Sequence, residues 1–67
     1  MAQATALDLV DRLEAIGMNA ATRGDEAGVI QALRSLDAIA ERGGATGEAA
    51  DYAGQRVQDW ADETLAN

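Results

Sequence analysis

Sixty-seven residues leave room for a single domain, residues 1–67, and a chain of this size buries only about 60% of its unfolded surface. A net charge of −7, from 12 acidic residues against 5 arginines, lacks the clustered cations of a nucleic-acid binder and disfavours anionic membrane surfaces. With no His, Cys or Pro, the chain has no imidazole base, no thiolate, no disulfide and no internal helix breaker.

The first helix is predicted over about 5–22. Thr5 suits its N-cap, and Asp8 stands at the third helical position, where the acid of a capping box belongs. At about 100° per residue Leu9, Leu13, Ile16 and Ala20 form one stripe, flanked by Ala6, Val10 and Gly17, and this is the expected core face. Leu7 and Met18 fall on the opposite side, among Asp11 and Glu14, which makes them candidate partner contacts. A glycine inside a helix costs about 1 kcal/mol relative to alanine, so Gly17 beside the stripe predicts close approach of a neighbouring backbone.

Arg23-Gly24-Asp25 then stops one helix and starts another. Gly24 takes the left-handed conformation that ends a helix, and Asp25 caps the next by accepting the amide of Ala27 or Gly28. The tripeptide also spells a cell-adhesion signature, but capping accounts for every letter. So short a turn makes the flanking helices antiparallel neighbours. The second helix, about 26–42, puts Val29, Ala32, Leu33, Leu36 and Ala40 on one face with Ile39 at its edge. Ile30 lies off that face, near Asp37 and Glu41 in projection, and joins the candidate contacts.

Gly43-Gly44-Ala45-Thr46-Gly47 reads as a looser linker with Thr46 as N-cap, and the third helix follows over about 47–65. Its expected inner face is Ala49, Ala53, Val57, Trp60 and Thr64. Its outer face carries Glu48, Asp51, Gln55, Asp59 and Asp62. The expected fold is therefore all-α: a three-helix bundle made of a tight antiparallel hairpin and a C-terminal amphipathic helix, with Trp60 anchoring the third helix in the groove of the first two.

The core of such a bundle is thin, because 16 of its hydrophobic residues are alanine and only 16 are larger. Below about 70 to 80 residues a single core seldom suffices, which makes a homodimer one route to stability.

Ile16-Gly17, then Gly24-Asp25, then Ile30, Leu33 and Leu36 resemble the spacing of one tetratricopeptide repeat over residues 10–42. The resemblance implies a helical hairpin in which Leu13, Ile16, Gly17 and Ala20 meet Val29, Leu33 and Leu36. A single repeat does not build that family's concave peptide-binding surface.

The chemical inventory excludes most catalysis. Ser35, the only serine, lies mid-helix beside Arg34 without an obvious base. The acids Asp8-Asp11-Glu14 and Asp59-Asp62-Glu63 lack calcium-loop spacing, and Gly43, Gly44 and Gly47 follow a helix instead of a strand, so neither a metal site nor a phosphate loop is expected. No cofactor and no enzyme activity are predicted. With no signal-like or membrane-spanning stretch, the expected compartment is the cytoplasm.

What remains is binding to a larger protein or protein complex, as an inhibitor, adaptor or accessory subunit. The candidate contacts are Leu7, Asp11, Glu14, Met18, Ile30, Glu48, Asp51, Asp59 and Asp62. An alternative is an acidic mimic of nucleic acid; in size and charge the chain resembles small phage-encoded inhibitors of bacterial defence such as anti-CRISPR proteins.

Overall fold

The computed structural model describes residues 5–65, which form three helices: α1, Ala6–Thr22; α2, Glu26–Ala40; and α3, Gly44–Leu65. The first two helices begin and α1 ends for local reasons. At the head of α1 the Thr5 hydroxyl accepts from the Asp8 amide at 3.1 Å, and the Asp8 carboxylate accepts from the Thr5 amide at 3.1 Å, closing the capping box. Gly24, at φ +75°, turns the chain out of α1, and the Asp25 carboxylate then accepts the Gly28 amide at 3.0 Å to begin α2.

All three helices pack against one another as an all-α bundle. Glu14 of α1 pairs with Arg56 of α3, and Thr22 further along α1 bonds Trp60 further along α3. Residue numbers rise together along both helices, so α1 and α3 run parallel and α2 runs against them.

The bundle closes at Gly17. A Cβ added there would lie 2.8 Å from Val57 Cγ1 and 3.1 Å from the Ala32 Cβ, so the three helices meet where α1 has no side chain. Around this point the core is built of small residues, and its largest fully buried side chains are Leu36 and Val57. Burying a side chain of that size stabilises the fold by about 1.5–3 kcal/mol, and α2 supplies much of that with Val29, Leu36 and Ile39.

The expected inner faces of α1 and α3 are corrected. In α1 the buried residues are Val10, Gly17, Ala20 and Ala21, whereas Leu9 and Ile16 are 46% and 49% exposed. The face is centred on its smallest residues because the helices approach too closely for a leucine or isoleucine at the axis. The same rotation carries Met18, expected on the outside, inward to pack against the core. In α3 the core residues are Gly47, Ala50, Ala53, Val57 and Ala61. Ala49 and Trp60 lie at the edge of that face, half-buried, where the Trp60 indole donates to the Thr22 hydroxyl at 3.1 Å and that hydroxyl donates to the Met18 carbonyl at 2.9 Å.

Two boundaries are also corrected. Helix α2 ends at Ala40 instead of Arg42, and α3 begins at Gly44 instead of residue 47. Gly43 and Gly44 both hold φ in the left-handed region, at +75° and +70°, and the turn is complete within them. Thr46 is therefore inside α3, and the Gly47 amide already bonds the Gly43 carbonyl at 3.1 Å. Gly47 is itself buried against the end of α2; a Cβ there would lie 3.0 Å from the Ala40 carbonyl oxygen.

Gly17→Ala gains about 1 kcal/mol of helix propensity but places a methyl against a stiff, fully buried valine, so a net loss of about 1–3 kcal/mol is expected in urea denaturation. Adding Val57→Ala should make the pair less destabilising than the sum of the two single changes. Equal additivity would show that the contact does not limit the approach.

Candidate functional site

The third helix is too small-sided to fill the space beside α2. Between them lie two depressions of about 430 Å³ and 350 Å³ that share Ile30, Leu33 and Gln58, and so form one continuous groove along the α2/α3 seam. Its floor is made by Val29, Leu33 and Leu36 of α2 with Ala50, Gly54 and Ala61 of α3. Gly54 keeps the floor low, since nothing lies within 4 Å of where its Cβ would be. Ile30 stands on the wall, 49% exposed.

Acids rim this groove at both ends. Asp37 and Asp51 line one part, Glu26 and Asp62 the other, and Arg34 is the one cation among the described lining residues. Asp51 and Asp62 also accept from the side-chain amides of Gln55 and Gln58, at 3.5 and 3.1 Å, which orients them along α3.

Of the residues expected to contact a partner, the groove gathers Ile30, Asp51 and Asp62. Leu7, 50% exposed, Asp11, Glu48 and Asp59 are exposed outside it. Met18 belongs to the core edge, as above. Glu14 is engaged within the fold: its side chain, only 18% exposed, takes a two-pronged contact from Arg56, Nε to Oε2 and Nη2 to Oε1, the latter at 3.1 Å. Leu33, Gly54, Gln58, Asp37 and Glu26 were not singled out as contacts from the sequence. The spacing of Glu26, Ile30, Leu33 and Asp37 along one side of α2 is the signal that could have found the α2 members; no sequence signal marked Gly54 and Gln58 on α3.

Comparison with known families, curated proteins and solved structures finds no match to this chain. Function must be argued from the site itself. Among the described residues no group of three or more His, Cys, Asp or Glu is placed to hold a metal ion, and no helix is long and apolar enough to cross a membrane. The groove offers apolar surface from Val29, Ile30, Leu33 and Leu36 together with carboxylates.

The Arg56 hydrogen bond holds the Glu14 carboxyl below its ordinary range; partial burial opposes this and the guanidinium charge adds to it. A carboxyl lowered on folding contributes stability above its unfolded pKa, about 4.3, and loses it as pH falls through the folded value. The stability difference between wild type and Glu14→Gln, read as urea midpoints, should therefore be largest near neutral pH and shrink in acid. A difference independent of pH would remove the ion pair as its cause.

Proposed function

We propose that this chain is a small, non-enzymatic protein-interaction module, an inhibitor, adaptor or accessory subunit that docks its α2/α3 face on a larger protein. The observation that carries this reading is the apolar groove with Ile30 half-exposed on its wall. Leu7, Leu9, Ile16 and Tyr52 are about as exposed elsewhere, so it is the groove beside Ile30, with Leu33 and Leu36 in its floor, and not exposure alone, that favours this face. The absence of His and Cys from the sequence supports the non-enzymatic part.

Ile30→Asp should leave helical circular dichroism and cooperative unfolding intact while weakening capture of the partner from the native host by about 30-fold or more, the loss of a central interface residue. Leu7→Asp, outside the groove, should leave capture unchanged. Unfolding by Ile30→Asp would assign that residue to the core, and unchanged capture would move the interface elsewhere.

A second reading has its own support. Glu48, Asp51, Asp59 and Asp62 are exposed on one side of α3 over about 21 Å, a row of carboxylates that could imitate phosphates and occupy a basic groove on a nuclease or defence complex. That mode requires affinity that falls steeply with ionic strength, measurable by titration between 50 and 500 mM salt, on the order of a hundredfold or more. Affinity flat across that range would dismiss it.

A further inference from the structure

Resting on the docking reading above, we infer that the occupant of the α2/α3 groove is a basic amphipathic helix of about four turns, with cationic side chains spaced about eleven residues apart. The length follows from the lining. Glu26 and Ala40 mark its extent along α2, fourteen residues or about 21 Å of helix. The apolar floor requires an apolar stripe on the occupant, with residues at i, i+3 or i+4 and i+7 as in other helix-in-groove complexes.

The charge requirement comes from how the acids are placed. Each end of the groove has one carboxylate from each helix: Asp37 with Asp51 at one end, Glu26 with Asp62 at the other. On both helices the two acids are eleven residues apart, about 16 Å, which matches three turns of an incoming helix. Asp37 and Asp62 each fall in the last turn of their own helix, where the negative end of the helix dipole disfavours a carboxylate. Local helix stability does not account for these two positions. The α2 and α3 dipoles oppose each other along the groove, so the attraction for a cation at either end comes from its two carboxylates, against Arg34, the single cation among the described lining residues.

A second copy of this chain is the less suited occupant. Two molecules of charge −7 repel, and self-docking would have to overcome that before any apolar contact formed.

The test uses three synthetic eighteen-residue peptides and the intact protein, with binding followed by fluorescence anisotropy. The first has leucines at i, i+3, i+7 and lysines eleven residues apart flanking them. The second replaces the lysines with glutamate. The third keeps the composition of the first but scrambles its order. The first should bind at least about tenfold more tightly than the other two, corresponding to about 1.4 kcal/mol. Asp37→Asn with Asp62→Asn should weaken it about tenfold and flatten its salt dependence, while Glu48→Gln with Asp59→Asn, acids outside the groove, should change it little.

Equal binding of the first two peptides, or equal loss in the two acid variants, would overturn the inference, because the attraction would then be apolar alone or due to net charge alone. Failure of the first peptide to bind would overturn it too. If Ile30→Asp nevertheless abolished capture of the native partner, the docking face itself would stand and only the assigned chemistry of the occupant would fall. A concentration-dependent dimer in sedimentation, lost in Ile30→Asp, would overturn it in favour of a second copy.

Discussion

The close approach of three helices at Gly17 governs this bundle. Interhelix distance there is set by what α3 and α2 present to a glycine, a valine methyl and an alanine methyl, and the distance chooses which residues lie at the axis. A bundle spaced by leucines would bury large side chains and hold the helices apart. This one draws them together until only Val10, Gly17, Ala20 and Ala21 of α1 fit inside, and pushes Leu9 and Ile16 to the margin. Packing enthalpy from many close, small contacts replaces the larger apolar areas that its alanine-rich composition lacks.

That constraint also explains which parts of the fold could be read without coordinates. Features decided within four residues were legible: the Thr5-Asp8 capping box, the Asp25 cap, the left-handed Gly24, and the inner face of α2, where the large residues already lie on one stripe. Gly17 was legible as a close approach because nothing local justifies a glycine in mid-helix, but what approaches it is the Val57 and Ala32 side chains and not, as expected, a backbone. The rotations of α1 and α3 were not. Periodicity gives the width of an apolar stripe, but its centre depends on the spacing between helices, and a stripe with alanine and glycine on one side of leucine has two acceptable centres. The start of α3 was missed for a related reason: Thr46 is a good cap by type, yet two left-handed glycines had already finished the turn.

The candidate site was legible only in fragments. Ile30 stood out as apolar surface, and Asp51 and Asp62 as outward acids, each from its own helix. Their assembly into one groove requires knowing that α2 and α3 are neighbours and that Gly54 leaves the floor between them low. Glu14 shows the converse. On its own helix it belongs to an acidic row, and only the fold brings Arg56 to it across 42 residues of sequence. A helix seam is a tertiary object, and the residues on its two walls carry no mark of belonging together.

The parallel course of α1 and α3 gives the molecule an electrical polarity along its length. Two helices end with their carbonyls at the same pole, where α2 contributes one opposing N-terminus, so the backbone dipoles do not cancel. Acids outnumber arginines at both poles, Asp25, Glu26, Asp59 and Asp62 against Arg23 at this one, so the difference between the poles is set by the backbone. In the field of a charged surface such a molecule experiences a torque as well as a force. It would turn before it touches, presenting one end of its 39 Å axis to a positive region at distances of about a Debye length, 8 Å in physiological salt.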